Sequence, residues 1–294
     1  MRAAGDRGGG FALPSSFMSS INAPAFPVQA DIRIRQGDLG RSDSVSTIGL
    51  FRCLEDARIR LRMSRFDRLV RAGEFGPFQT IFVSQSAQRL ARIRRAGNHI
   101  QVHTGIRRIG RSSFTYEQAV FAGAERVGTG TATVLLLGAQ GPLALPDELI
   151  ADLTEWALPE ANRTVASRPE ASRRSRDYYS YFAPLRARIG DVDANQHVNY
   201  IAQIGWYDEA VAAFTTAALN ASEAVPDQPP SAYRVDYLGE VTYPGDYEIA
   251  LHVRTFDADT VNYELGIFRG GTCLGIAEAL GARGQLPAEV LSPR

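Results

Sequence analysis

The amino-acid sequence predicts an α+β fold built from two copies of one structural unit. An internal repeat is the first observation, since Gly37-Asp38 reappears as Gly190-Asp191, 153 positions later. Apolar residues recur at helical spacing between Ile201 and Phe214, which predicts a helix. Apolar and other residues alternate strictly over 248–254, which is typical of a strand with one buried face. A repeated unit containing both patterns indicates a duplicated α+β architecture.

Each copy has the order strand, helix and then several strands. In the second copy, the helix is followed by the strand at 248–254 and by strands predicted over Tyr263 to Phe268 and Thr272 to Ala282. The sequence Arg269-Gly270-Gly271 between the last two is a turn signal. The matching part of the first copy ends with a long strand predicted over Val127 to Leu137.

The repeat also divides the chain. We expect a disordered tail over 1–24, because it is rich in Gly, Ala, Ser and Arg. The first unit is predicted over 25–150 and the second over 180–294. A linker over 151–179 begins with a short helix-like segment at 152–157 and continues with Pro-, Ser- and Arg-rich sequence.

The most informative segment precedes the helix of the second copy. It places a carboxylate, a carboxamide and an imidazole at alternate positions, namely Asp193, Asn195 and His197. In an extended segment, alternate residues share one side of the backbone. A helix N-terminus beside them would offer unpaired N–H groups. These are ingredients for acyl hydrolysis. The alternative is a turn and helix cap, which Asp and Asn also favour.

The run Asp191-Val192-Asp193-Ala194-Asn195-Gln196-His197-Val198-Asn199, followed by Ile204-Gly205-Trp206, resembles the acyl-acyl-carrier-protein (ACP) thioesterases of the hotdog fold. More loosely, it is similar to the 4-hydroxybenzoyl-CoA thioesterase family. The resemblance implies two fused hotdog domains, each an antiparallel sheet wrapped around a central helix. It also implies hydrolysis of a fatty acyl-ACP or acyl-CoA thioester, at a site walled by both units.

The first copy serves as an internal control for this motif. Opposite Asp193, Asn195 and His197 it carries Gly40, Ser42 and Ser44. If the ionisable groups only held the turn, both copies would need them. The asymmetry favours chemistry at the second copy, with drift in the first copy as the alternative.

A fourth candidate lies downstream. The resemblance implies an active-site glutamate at Glu240, in Tyr237-Leu238-Gly239-Glu240-Val241, which we expect at the start of the strand after the helix. Arg92 is predicted opposite Glu240 in the first copy. The family's following cysteine is replaced by Val241, so a Cys–His nucleophile is not expected there.

These residues define the predicted mechanism. The N–H groups near Val198 and Asn199 are expected to hold the thioester oxygen, and Asn195 to orient substrate or water. Glu240 or Asp193 is the expected general base, with His197 aligning the set or sharing that role. Direct attack by a carboxylate stays open as a second route.

Composition sets further expectations. The formal net charge is zero, which argues against a nucleic-acid partner. We expect no membrane span, because no stretch approaches about twenty apolar residues. Two distant cysteines without metal-type spacing favour a reducing cytoplasm, and we infer no cofactor and no metal. The expected partner is ACP or coenzyme A in thioester linkage, with an internal pseudo-dimer and further homodimerisation left open.

Two other functions stay open at this point. A hotdog hydratase or dehydratase would also use His and a carboxylate, but its expected His–Pro or Gly-Asp-x-x-Pro-x-His motif is missing from the sequence. A non-catalytic acyl-thioester sensor would bind the same ligands without releasing thiol. The run Arg173-Arg174-Ser175-Arg176 is a candidate for contacting phosphate or an acidic carrier protein, with a solvated linker as the alternative.

Overall fold

The computed structural model describes residues 26–40, 43–94, 99–159, 170–194, 196–219 and 229–291, so the tail predicted over 1–24 lies outside the described residues. We call residues 26–159 the first half and 170–291 the second half. The elements of the first half are β1 (Val28–Arg33), α1 (Thr47–Ile59), α2 (Ser64–Arg71), β2 (Gln79–Arg89), β3 (His99–Ile109), β4 (Ser113–Ala122), β5 (Glu125–Gly138), β6 (Gly141–Pro142) and α3 (Asp147–Glu155). Those of the second half are β7 (Tyr181–Arg186), α4 (Tyr200–Ala218), β8 (Ala232–Tyr237), β9 (Asp246–Phe256), β10 (Thr260–Arg269), β11 (Thr272–Ala282) and α5 (Ala288–Leu291).

One antiparallel sheet runs through both halves. Its strand order is β1-β3-β4-β5-β2-β8-β11-β10-β9-β7, with β6 paired to β5. Counted from the outer edges, β1-β3-β4-β5-β2 therefore mirrors β7-β9-β10-β11-β8. The halves join where Ser84–Gln88 of β2 pairs antiparallel with Ala232–Asp236 of β8. The strands predicted at 248–254, 263–268 and 272–282 are confirmed as parts of β9, β10 and β11.

The helices α1 and α4 pack on the sheet and contact each other. The α4 residues picked out by helical spacing are all buried, namely Ile201, Ile204, Tyr207, Val211 and Phe214. Burying a large apolar side chain contributes about 1.5–3 kcal/mol, so this stripe fixes α4 against the sheet. Residues of both halves share one apolar cluster around the two helices.

A second apolar cluster belongs to the first half alone. Phe66 of α2 packs there with Leu149 and Leu153 of α3. The Asp152 carboxylate accepts hydrogen bonds from the backbone N–H groups of Arg65 and Phe66, at 2.9 and 3.1 Å, and so ties α3 to the first turn of α2. The helix predicted over 152–157 is wrong in its bounds, because α3 begins at Asp147 and ends at Glu155.

Candidate functional site

The loop before α4 is a tight turn closed by backbone hydrogen bonds. The N–H of Asp193 donates to the carbonyl of His197 at 2.9 Å, and the N–H of Gln196 donates to that of Asp193 at 3.1 Å. Gln196 has φ 66°, in the left-handed region. The sequence argument from extended alternation is therefore wrong in its geometry: a turn, rather than a strand, brings Asp193 next to His197.

The cap of α4 is a separate residue. The Asn199 side chain accepts a hydrogen bond from the N–H of Ile201 at 2.8 Å, which is the ordinary role of an N-cap asparagine. Asp193 is therefore not needed for capping. Asn195, the third member of the predicted trio, lies outside the described residues.

The first half contains the same turn with different side chains. Gly40 donates to the carbonyl of Ser44 at 2.8 Å, and Asp43 donates to that of Gly40 at 3.3 Å. Asp43 takes the left-handed conformation, with φ 52°, as Gln196 does in the second half. Ser46 caps α1 by accepting from the N–H of Gly49.

Because this backbone pattern forms in the first half without a carboxylate at 40 or an imidazole at 44, the side chains of Asp193 and His197 are not needed to hold the turn. The first-half residue Ser42 lies outside the described residues. Both halves therefore keep the backbone turn. Only the second half carries a carboxylate and an imidazole at the positions of Asp193 and His197.

Glu240 lies beside His197. Their nearest atoms, Glu240 Oε2 and His197 Nε2, are 3.6 Å apart, and the side chains are 75% and 39% exposed. A carboxylate and an imidazole at this separation, open to solvent, can take a proton from water and pass it on. Glu240 is not at the start of a strand as predicted, because β8 ends at Tyr237 and Glu240 follows it.

Strand-like pairing fixes the equivalence of Glu240 and Arg92. His197 forms an antiparallel bridge with Thr242, and Ser44 forms the matching bridge with Arg94. Two residues before each bridge partner stand Glu240 and Arg92. The predicted correspondence agrees with this register, so an arginine stands in the first half where the second half has a carboxylate.

The oxyanion role predicted for Val198 and Asn199 is wrong for the structure described. The N–H of Val198 donates to the carbonyl of Val241 at 2.8 Å, and the N–H of Asn199 donates to that of Asp191 at 2.8 Å. Both donors are thus already used to hold the loop. Val45 makes the corresponding bond to Ile93 in the first half at 2.9 Å, so these bonds belong to the shared scaffold.

Sequence reasoning missed Gln203, which supports the loop from α4. Its Nε2 donates to the carbonyl of Val198 at 3.0 Å, and the residue is only 6% exposed. At the repeat offset of 153, the first half has Leu50 at this position. The available signal was a polar residue on an apolar helix face at a position where the other copy of the repeat has a leucine.

Residues of both halves meet immediately behind the loop. The rings of Tyr200 and Phe82 lie 4.4 Å apart between centroids, and the hydroxyl of Tyr200 donates to the Glu55 carboxylate. Burial, and then the hydrogen bond with Glu55, raise the pKa of Tyr200 well above its ordinary value, so the hydroxyl stays protonated. The loop of the second half is therefore backed by α1 and β2 of the first half.

The arginine run at 173–176 is largely occupied by the protein itself. Arg173 is 4% exposed and pairs with Glu278 at 2.7 Å and with Glu264 at 3.5 Å. Arg176 holds Glu248 through two hydrogen bonds of 2.9 Å. The prediction that this run contacts phosphate is thus corrected for Arg173 and Arg176, which fasten the segment after residue 169 to the sheet.

Two further findings concern the described part of the chain. It contains no group of three or more His, Cys, Asp or Glu side chains arranged to hold a metal ion. None of the described helices has the length and apolarity needed to cross a lipid bilayer.

Comparisons with known proteins show the fold. The chain is similar to the structure of the 12:0-ACP thioesterase from Umbellularia californica, with 14% identity, a TM-score of 0.64, and coverage of 86% of this chain and 96% of that one. It is also similar to an acyl-ACP thioesterase from Bacteroides thetaiotaomicron, with 12% identity, a TM-score of 0.63, and coverage of 86% and 97%. No family model matches the sequence, and no curated protein does. The predicted hotdog-type α+β fold is confirmed.

Proposed function

We propose that this protein hydrolyses an acyl thioester to a free acid and a thiol, at the loop before α4. The observation that carries the proposal is the pairing of Glu240 with His197, which lies on a turn that both halves share. The first half keeps the turn and lacks both groups, as Ser44 and Arg92 stand in their places. Chemistry, rather than folding, is the simplest reason for that difference.

The proposed architecture is a fused pair of hotdog units, over 25–150 and 180–294, joined by the segment 151–179. The mirrored strand order and the central β2–β8 pair support it. In a fused pair, the second unit covers the sheet edge that a single unit would leave open. The two halves would then also share the walls of one site.

In the proposed reaction, Glu240 takes a proton from water as the water oxygen attacks the thioester carbonyl carbon. The carbon–sulfur bond breaks, and the proton returns to the leaving thiolate through His197. Asp193 is the alternative base, and Asn195 is proposed to orient the substrate or the water. The carbonyl oxygen needs donors other than the N–H groups of Val198 and Asn199, which already hold the loop.

We propose ACP as the preferred carrier, with CoA as the alternative. The fold similarity to two acyl-ACP thioesterases over 86% of this chain supports that choice. The loop motif supports it independently.

The test is thiol release from one acyl chain presented on ACP and on CoA, measured with the full chain. We expect hydrolysis of the acyl thioester on at least one carrier. His197→Ala should lose this activity and Ser44→Ala should keep it. Binding of acyl thioesters without thiol release would contradict hydrolysis and favour a sensor. Faster turnover on CoA would reverse the carrier assignment alone.

A further inference from the structure

Thr242 connects the two side chains of the proposed site. It forms the antiparallel bridge with His197, and it follows Glu240 by two residues. The N–H of Val198 donates to the carbonyl of Val241 at 2.8 Å, so the two segments are joined at successive positions. A movement of the chain at Thr242 would therefore change the distance between Glu240 and His197.

One side chain holds the main chain of Thr242. The hydroxyl of Tyr247 accepts a hydrogen bond from the Thr242 N–H at 2.9 Å and donates one to the Thr242 carbonyl at 2.7 Å. The Tyr247 ring reaches back over Gly245, where an added Cβ would lie 2.7 Å from the ring. Both polar main-chain groups of Thr242 are thus bonded to a single hydroxyl, which fixes the residue in position and orientation.

Two further residues hold Tyr247 and Thr242. Trp206 of α4 packs against Tyr247 with ring centroids 5.3 Å apart, and both residues are buried. The guanidinium of Arg269 lies over the Tyr247 ring at 5.4 Å and donates to the Thr242 hydroxyl at 2.9 Å. We call Trp206, Tyr247 and Arg269 the clamp. Through it, the tryptophan of the Ile-Gly-Trp motif links α4 to the chain beyond Glu240.

Other residues stand at the clamp positions in the first half. Tyr116-Glu117 of β4 is repeated as Tyr263-Glu264 of β10, 147 positions later. At this offset for the strands, and at 153 for the helices, the residues equivalent to Tyr247, Arg269 and Trp206 are Ile100, Ala122 and Cys53. The side chains of isoleucine and alanine cannot form hydrogen bonds with a main chain. Because the turn of the first half forms without them, the shared turn does not require the clamp.

We propose that Tyr247 is a positioning residue for thioester hydrolysis, which holds Thr242 so that Glu240 stays beside His197. This inference rests on the proposed function and names the device that aligns its two groups. Glu240 and His197 are 75% and 39% exposed with 3.6 Å between their nearest atoms, so their own attraction is too weak to fix their geometry. A misplacement of about 1 Å can cost about 100-fold in rate. The clamp supplies the alignment that two exposed side chains do not supply themselves.

The test is Tyr247→Phe, which removes the hydroxyl and keeps the ring against Trp206. For the thioester that wild type hydrolyses, we expect kcat to fall about 10- to 100-fold and KM to change less than about threefold, because only the alignment of the reacting groups is lost. Tyr179→Phe is the matched control. Its buried hydroxyl also lies in the second half and donates to a main-chain carbonyl, that of Arg173, at 2.8 Å.

Two more variants separate positioning from stability. In a Glu240→Gln background, Tyr247→Phe should lower kcat no further, because the hydroxyl acts through a carboxylate that is already lost. The same fold loss in both backgrounds would indicate a purely structural role and overturn the proposal. If Tyr247→Phe does not fold, Arg269→Met removes the bond to the Thr242 hydroxyl instead. It should lower kcat about 3- to 10-fold, and an unchanged kcat would overturn the proposal.

The outcomes also distinguish this proposal from the hydrolase. Wild-type kcat per folded molecule in Tyr247→Phe, or an equal loss in Tyr179→Phe, would overturn the clamp and leave the hydrolase standing. If wild type hydrolyses no thioester, the proposed function fails, and hydrogen exchange of the Val198 N–H then decides the clamp. Exchange about 10-fold faster in Tyr247→Phe than in wild type and Tyr179→Phe supports it, and equal exchange overturns it.

Discussion

Replacing His197 by Ala, Glu240 by Gln, or both tests whether this pair serves chemistry or folding. The two side chains are 39% and 75% exposed with 3.6 Å between their nearest atoms, so solvent screens their attraction. Exposed pairs of this kind contribute about 0.2–1 kcal/mol to folding. The hydrogen bonds that close the loop are backbone bonds and remain in every variant.

We expect these substitutions to change stability little and turnover strongly. The unfolding free energy should change by less than about 1 kcal/mol in each variant, which shifts Tm by less than about 2 °C in a chain of this size. Turnover should fall by about 100-fold or more, as for loss of a general acid–base group. Urea unfolding followed by circular dichroism, together with thiol release per folded molecule, measures both.

The first half supplies the matched controls. Ser44→Ala and Arg92→Gln alter the equivalent positions of the equivalent turn, so we expect neither to change turnover. A loss of several kcal/mol in His197→Ala with turnover per folded molecule retained would refute the reasoning. It would mean that the pair holds the loop and that the first half maintains its turn by other means.

Three further predictions concern stability. Arg173→Met should destabilise the protein by about 1–3 kcal/mol in urea unfolding, because the buried carboxylate of Glu264 loses one of its two arginine partners and keeps Arg254; an unchanged midpoint would contradict this. Gly130→Ala should cost about 1–3 kcal/mol in the same assay, since the added Cβ would lie 2.4 Å from Leu54 Cδ1, and an unchanged midpoint would count against the packing. Burial raises the pKa of Cys53 from 9.0 to about 12, so only the unfolded thiol ionises between these values. Between pH 9 and about 12, the unfolding free energy of wild type should therefore fall by about 1.4 kcal/mol more per pH unit than that of Cys53→Ala. Parallel pH profiles of the two proteins would refute this.

Much of the fold was predictable because both copies repeat the same local patterns. The helical spacing from Ile201 to Phe214 and the alternation at 248–254 gave α4 and β9, since burial on one face imposes those periods. The equivalence of Glu240 and Arg92 could also be predicted from the repeat, because the turn and the bridge that it forms are present in both copies.

The geometry of the site was less accessible from sequence. Nothing in the residue pattern showed that Gln196 adopts a positive φ and closes a turn, so the extended reading of the motif was wrong. The N–H groups of Val198 and Asn199 donate hydrogen bonds to carbonyls that only the folded loop brings close.

The most direct test of hydrolysis at the loop before α4 is a crystal structure with an unreactive acyl-pantetheine, in which a methylene group replaces the thioester sulfur. We expect its carbonyl carbon beside Glu240 and His197, with the acyl chain entering the space between the halves. A carbonyl bound at the Ser44 turn, or away from both turns, would contradict the account.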